Sequence, residues 1–399
     1  MPTLSIRSSE AASPARLAVS LSLLWLAGGA LRLTILAVPP VIPLIHDELH
    51  MSATEVGILT GLPSMLFAAA AVPGSLLIAR LGVRTALVFG LVLNAVGGAL
   101  RGALPDIGWL YAMTIVMGGG VAIMQVTMPP AVRAWVPGRI AFATALWTNG
   151  LLIGETLPVA LMLPLILPLV GNWQWGFVFW SVPVAIIAGA VLAAAPAQPA
   201  TDGAKQRRRW WPDWKSPLIW QLGIMLGTVN ASYFSTNAFL PDYLRSNGQG
   251  EWISAALTAL NVGQLPASLI LLPLASRLDR KALPYVVCGL LCLAATAGIV
   301  FGSGPWVVAA ATVQGFAAAA ILILLLALPP SLAAPDDVHR VTAAMFTISY
   351  SCAVIVPVVS GLSWDTSGIA ALAFAPIALC GVVLIVLAPA ITHVRPAEG

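Results

Sequence analysis

The sequence predicts an all-α integral membrane protein with twelve transmembrane helices, arranged as two six-helix halves related by pseudo-symmetry. Its composition, its apolar windows and an internal repeat predict this fold. Of 399 residues, 59% are hydrophobic and 9% are charged, whereas a soluble domain carries about a quarter charged residues. Single soluble cores also stop growing near roughly 250–300 residues. Lipid is therefore the expected solvent for most of this chain.

Twelve apolar windows along the chain approach or exceed the length of about 20 residues that a helix needs to cross a bilayer. The prolines inside them are compatible with membrane helices, because neighbouring helices and local backbone adjustments satisfy the freed carbonyl groups. The windows cover approximately residues 17–45, 56–79, 86–104, 109–131, 142–168, 176–196, 217–240, 253–275, 283–302, 306–330, 341–363 and 369–391.

The distribution of basic residues predicts the orientation of these spans. With the N-terminus inside, the outer loops hold only Arg245, and Arg32 and Arg101 lie within spans. Cytoplasmic loops carry the excess of Lys and Arg, so both termini are predicted to be cytoplasmic, in a multi-pass protein of the cell inner membrane. The predicted inner segments hold Arg7, Arg16, Arg80, Arg84, Arg133, Arg139, Lys205, Arg207, Arg208, Arg209, Lys215, Arg277, Arg280, Lys281, Arg340 and Arg395.

The two halves repeat each other at an offset of about 200 residues. Pro43 is predicted to end the first span and Pro241 the seventh, and three further segments match in register. The predicted division is an N-terminal bundle over 1–196, a cytoplasmic connecting loop over 197–216 and a C-terminal bundle over 217–399. The matched segments are "EVGILT" and "EWISAALT", "IARLGVRTAL" and "ASRLDRKAL", and "MPPAVRAWVPGR" and "LPPSLAAPDDVHR".

The loop after the second span carries a motif similar to the signature of the major facilitator superfamily. "GSLLIARLGVR" (74–84) keeps the Arg80, Gly82 and Arg84 of that signature, with Ala79 where the family has aspartate. The resemblance implies secondary transport by alternating access, with a substrate site near the membrane midplane between the repeats. It also implies a role for Arg80 and Arg84 in gating at the inner face.

Further motifs resemble the cyanate permease and 2-nitroimidazole transporter branch of that superfamily. "ALRLTILAVPPVIP" (30–43) keeps four branch residues, and "GGALRGALP" (97–105) and "MQVTMPPAVR" (124–133) match later segments. The resemblance implies import of a cyanate-like anion or a small carboxylate. The alternative is proton-driven efflux of nitroimidazole-like drugs.

Arg32 lies near the middle of the first predicted span. An arginine at this depth costs from about 2.5 to well over 10 kcal/mol before water or a partner relieves it. Two interpretations remain open: an anion-binding residue that faces the central cavity, or one member of an ion pair that holds two spans together. The first interpretation makes Arg32 the leading substrate-binding candidate.

Glu155 is the only acidic residue that the sequence places inside a span. It could pair with Arg32, carry a proton, or do both, because burial favours the neutral acid and a nearby guanidinium favours the carboxylate. We therefore predict proton coupling through Glu155.

The other candidate substrate-binding residues are polar side chains within predicted spans. Asn230, Tyr233 and Asn237 follow the helical spacing i, i+3 and i+7, which places them on one face of the seventh span. Gln125 could contact substrate or bond a neighbouring helix. Gln314, Asn261, Gln264 and Tyr350 are weaker candidates.

Two further buried polar residues have more local interpretations. Arg101 could extend toward the outer surface, near Asp47 or Asp106, or could act at the outer entrance. Asn94 is predicted to bond a neighbouring helix.

The sequence gives little support for catalysis, metal binding or nucleic-acid binding. The four histidines lie in loops or at span ends, and two cysteines at i and i+4 make no metal site without further ligands. No cofactor is expected. The predicted partners are a small, anionic solute, protons and the lipid bilayer, and the chain is predicted to be monomeric.

Overall fold

The computed structural model describes residues 14–69, 71–196, 213–271, 278, 280–332 and 338–393. Within these ranges the chain is helical, with short turns, 3₁₀ segments and a π-helical segment (Met162–Ile166) between the α-helices, and contains no strand. The predictions that concern Arg7, Lys205, Arg207, Arg208, Arg209, Arg277 and Arg395 fall outside the described residues. The α-helices are α1 (Pro14–Leu36), α2 (Ile42–Leu49), α3 (Ala53–Ala69), α4 (Ala71–Leu100), α5 (Ile107–Trp135), α6 (Ile140–Leu161), α7 (Leu167–Val170), α8 (Trp173–Ala194), α9 (Pro217–Ser246), α10 (Ile253–Val262), α11 (Gln264–Leu271), α12 (Ala282–Phe301), α13 (Pro305–Leu332), α14 (Val338–Ser367) and α15 (Ala375–Leu387).

The described helices confirm an all-α membrane architecture. Nine helical stretches among the described residues are long and apolar enough to cross a bilayer, and Ala53–Ala69 is a shorter apolar helix. The large hydrophobic side chains on their outer surfaces are exposed, as expected where lipid replaces water. The full count of twelve spans stays a prediction.

The two repeated prolines do not end their helices, so this part of the prediction was wrong. After α1 ends at Leu36, a 3₁₀ turn over Pro39–Val41 leads into α2, and Pro43 occupies the first turn of α2. Proline fits there because the first turn leaves its backbone N–H groups unpaired. Pro241 lies inside α9, which continues to Ser246.

A sharp turn at Gly82 separates the second and third spans within α4. Gly82 has φ 76° and ψ 162°, a conformation that is essentially restricted to glycine. This explains why glycine occupies the centre of the motif that Arg80 and Arg84 flank.

Helices α1 and α6 pack with their backbones in contact. A Cβ atom at Gly150 would lie 2.1 Å from the carbonyl oxygen of Trp25, and one at Gly154 would lie 2.2 Å from that of Gly29. Glycines four residues apart allow this approach of two membrane helices. The contact brings the turn of α1 that carries Arg32 against the turn of α6 that carries Glu155.

At the end of the molecule that the charge distribution assigns to the outside, polar contacts join the two halves. His46 Nδ1 lies 2.8 Å from Asp242 Oδ2, and Arg245 pairs with Asp47. Asp365, near the end of α14, accepts hydrogen bonds from the backbone N–H groups of Ala53 and Thr54 at 2.9 and 2.8 Å. We call this region the outer end, where these contacts hold the two halves together.

A reporter-fusion experiment tests the predicted orientation. A reporter inserted within 197–216 is expected to report the cytoplasm, and one inserted within 247–250, beyond the end of α9, the periplasm. Alkaline phosphatase and green fluorescent protein fusions at the same two positions provide opposite signals and control for expression. The reverse pattern would exchange the inner and outer ends.

Candidate functional site

A buried ion pair between α1 and α6 forms the centre of the candidate site. Arg32 Nε lies 3.2 Å from Glu155 Oε1, with side-chain exposures of 12% and 6%. Arg32 and Glu155 are therefore as close as the proton-coupling hypothesis requires. Arg32 Nη1 is buried without a hydrogen-bond partner among the described residues, so the carboxylate leaves part of the guanidinium unused.

Two aromatic rings flank this guanidinium. Arg32 Cζ lies 5.7 Å from the ring centroid of Phe67 on α3 and 5.9 Å from that of Phe234 on α9. Rings at this distance attract a cation and also exclude water. The Arg32 charge therefore acts in a medium of low polarity, where its interaction with an anion is stronger than in water.

The C-terminal half supplies polar groups around Glu155. Gln264 Nε2 lies 3.4 Å from Glu155 Oε2, and the Tyr233 side chain interacts with the same carboxyl group. Tyr233 donates its hydroxyl proton to Asn261 Oδ1 at 2.5 Å. Because Arg32 and Glu155 belong to the N-terminal half, the site lies where the two halves meet.

A cavity of about 250 Å³ lies on the inner side of the ion pair. Phe67, Phe346 and Tyr350 contribute aromatic surface to it, and Gln125 contributes a polar group. Tyr350 stacks on Phe346 with ring centroids 5.9 Å apart, and its side chain interacts with Arg32. The inner cavity thus provides an aromatic compartment adjacent to the central charge.

A smaller cavity of about 30 Å³ lies toward the outer end. Arg101 and Asn237 line it, together with Thr60, Thr114 and Phe234. We call it the outer cavity. Because Phe67 lines the inner cavity and Phe234 the outer one, the Arg32 guanidinium lies between the two.

Arg101 does not extend to the outer surface, as one interpretation of the sequence expected. It is only 1% exposed, donates from Nη2 to the carbonyl oxygen of Thr34 at 2.6 Å, and lies 4.3 Å from the ring centroid of Phe177. The expected neighbour Asp47 pairs with Arg245 instead. Tertiary packing against α1 and α8 therefore holds the Arg101 side chain inside the protein.

The polar face predicted on the seventh span divides among three environments. Tyr233 joins the Glu155 cluster, Asn237 lines the outer cavity, and Asn230 donates to Ser349 Oγ at 2.8 Å. Gln314 is fully buried, and both of its amide heteroatoms lack partners among the described residues; it lines neither cavity.

The remaining predicted residues have simpler surroundings. Arg80 is exposed, while Arg84 donates to the backbone carbonyl of Leu192 on α8. The prediction for Asn94 is confirmed, because it donates to the carbonyl oxygen of Ala30 at 2.8 Å and accepts from Thr34.

Phe67 and Phe346 were not predicted from the sequence as site residues. Aromatic residues are common on lipid-facing and packing surfaces of membrane helices, so nothing in their spacing sets these two apart. Gln264 had only the weak signal of an amide inside an apolar window. Its contact with Glu155 arises because α10, which precedes Gln264, packs against α6.

The structure has a buried ion pair where two helical halves meet, with a cavity on either side. This arrangement is typical of membrane transporters that bind solute between two bundles. The chain belongs to the Major Facilitator Superfamily, whose family model matches residues 24–357. This membership confirms the predicted family and indicates a transporter rather than an enzyme.

Comparisons with individual proteins agree with this assignment. The chain is 27% identical to the cyanate transport protein CynX of Escherichia coli (strain K12) over 94% of this chain and 97% of that protein. It is 26% identical to the 2-nitroimidazole transporter of the same organism over 68% and 69% of the two chains. A bacterial homologue of the lysosomal transporter Spinster, solved in an inward-facing, unoccupied conformation, has a TM-score of 0.74 and 14% identity over 96% of each chain.

Proposed function

We propose that this protein moves a small anion, cyanate-like or a small carboxylate, across the inner membrane by alternating access, in symport with protons. The observation that carries the proposal is the Arg32 guanidinium, which is buried between two cavities and only partly used by Glu155. A guanidinium N–H group that lacks an acceptor at this depth is costly. Binding of an anionic substrate offsets that cost.

The ion pair links substrate binding to protonation. Glu155 pairs with Arg32 in this structure. An incoming anion competes for the same guanidinium, and a displaced carboxylate in this apolar setting gains by taking up a proton. The neutral acid can donate to the Tyr233 hydroxyl oxygen, since the Tyr233 hydroxyl proton is directed to Asn261. Anion and proton then load together.

The distribution of contacts supports alternating access. The outer end is closed by the His46–Asp242 and Asp47–Arg245 pairs, while the inner cavity reaches the inner halves of α3, α5 and α14. In the opposite conformation these outer pairs separate. Arg80 and Arg84, which flank the turn at Gly82, act at the inner gate, and Arg101 acts on the outer pathway.

A second candidate function is proton-driven efflux of nitroimidazole-like drugs. The aromatic surface of Phe67, Phe346 and Tyr350 favours it, because flat rings stack on such side chains. The inner cavity of about 250 Å³ is also larger than a triatomic anion needs. The similarity to the 2-nitroimidazole transporter points in the same direction.

Counterflow in proteoliposomes distinguishes the two candidates. Vesicles loaded with unlabelled cyanate, formate, acetate or 2-nitroimidazole are diluted into trace amounts of the labelled compound, with empty liposomes as the control. We expect exchange of at least one of the anions at more than ten times the control rate. Exchange of 2-nitroimidazole alone would replace the anion proposal with the efflux proposal.

A further inference from the structure

Arg101 is a second buried cation and, unlike Arg32, it forms no ion pair with a carboxylate among the described residues. Its contacts are the Thr34 carbonyl oxygen and the Phe177 ring. Its Nε atom is buried without a hydrogen-bond partner among the described residues. Carbonyl and ring contacts attract a guanidinium but leave a full positive charge in the protein interior.

Arg101, whose Nε atom has no described partner, lines the outer cavity. Asn237 contributes a buried Oδ1 without a described partner, while Thr60 and Thr114 donate their hydroxyl protons to carbonyl groups of their own helices. Among the side chains that line the cavity, the Arg101 guanidinium is the one that carries a full charge. The positive sign of that group selects an anion.

The size of the outer cavity restricts the ligand. A cavity needs about 10–15 Å³ to hold one water molecule, and the outer cavity provides about 30 Å³. A ligand of two or three atoms fits, whereas an aromatic ring does not. The inner cavity, at about 250 Å³, does not impose this limit.

Phe234 connects the two arginine sites. It lines the outer cavity and also lies 5.9 Å from Arg32 Cζ. Arg101 donates to the carbonyl oxygen of Thr34, two residues after Arg32, so the two arginines lie beside the same stretch of α1, with Phe234 next to Arg32 and at the wall of the outer cavity.

We propose that the outer cavity is a second anion site, in which Arg101 holds a small monovalent anion just outside Phe234 before it passes to Arg32. The inference rests on the proposed anion transport and adds a second anion-binding position on the outer half of the transport pathway. Selection for anions of two or three heavy atoms, such as cyanate or formate, occurs here, before the wider central site is reached.

The test counts bound anions with radiolabelled thiocyanate, a linear triatomic anion that, unlike cyanate, does not carbamylate amines. Equilibrium dialysis of the purified full-length protein is expected to give two thiocyanate ions per wild-type chain. Thr60→Leu, which extends side-chain volume into the outer cavity and leaves Arg101 in place, is expected to bind one. The doubly neutral Arg32→Gln/Glu155→Gln variant is also expected to bind one, at the outer cavity.

The outcomes separate this inference from the proposed function. In one outcome the wild type binds one ion that Thr60→Leu retains and the doubly neutral variant loses. This result overturns the outer site and leaves the central anion site intact. One ion that disappears only in Thr60→Leu supports the outer site and removes the central one. Two ions retained in Thr60→Leu, or none in the wild type, also overturn the inference. Arg139→Ala, an exposed substitution, controls for general charge effects.

Discussion

Replacement of Arg32 by alanine is expected to abolish anion counterflow and to weaken anion binding by about ten- to hundredfold. A hydrogen bond to a charged group contributes about 1.5–3 kcal/mol, and the guanidinium offers an unused Nη1 for this purpose. Arg32→Lys is expected to recover little, because a compact ammonium does not reproduce the planar donor pattern. Isothermal titration and proteoliposome counterflow measure the two effects, with Arg139→Ala as the control.

The alternative interpretation of Arg32, a purely structural ion pair, gives a different result in the doubly neutral variant. Removing one partner of a buried pair is strongly destabilising, whereas replacing both is often nearly neutral. Arg32→Gln/Glu155→Gln is therefore expected to restore the melting temperature that Arg32→Ala lowers. If Arg32 binds substrate, the doubly neutral variant is expected to fold but not to transport anions. Anion transport by the doubly neutral variant at the wild-type rate would show that the pair is structural only.

Glu155→Gln is expected to separate anion binding from proton coupling. Glutamine resembles the protonated carboxyl group and cannot compete with an anion for Arg32. The variant should therefore retain counterflow exchange and lose accumulation driven by an imposed pH gradient. In the wild type, anion affinity should rise as pH falls, because binding and protonation favour each other reciprocally. In Glu155→Gln it should be independent of pH.

Proteoliposomes with and without a pH gradient provide this measurement. Glu251→Gln is the matched control, since Glu251 is an exposed carboxylate near the outer end of the molecule. Undiminished pH-driven accumulation by Glu155→Gln would rule out Glu155 as the coupling residue. Loss of counterflow as well as accumulation would assign Glu155 to substrate binding or folding instead.

The sequence by itself determined the membrane class, the family and the two central charges. Apolar windows and basic loops are local properties of the chain. Bilayer thickness sets the length of each window, and the charge of each loop sets its side of the membrane, so each can be identified without knowing the fold. A charged residue inside such a window is rare and costly, so Arg32 and Glu155 stood out without knowledge of the fold. The turn at Gly82 was also implicit in its motif, because glycine tolerates the backbone conformation found there.

Only the tertiary structure decided which residues meet. The contact between Arg32 and Glu155 depends on the backbone approach of α1 and α6 at Gly29 and Gly154, which brings together residues more than one hundred positions apart. The burial of Arg101 depends on packing against α1 and α8, and spacing along one helix gave no indication of it. The separation of Asn230 from Tyr233 has the same origin. Helical periodicity places side chains on a face, but the neighbouring helices determine what each position on that face contacts.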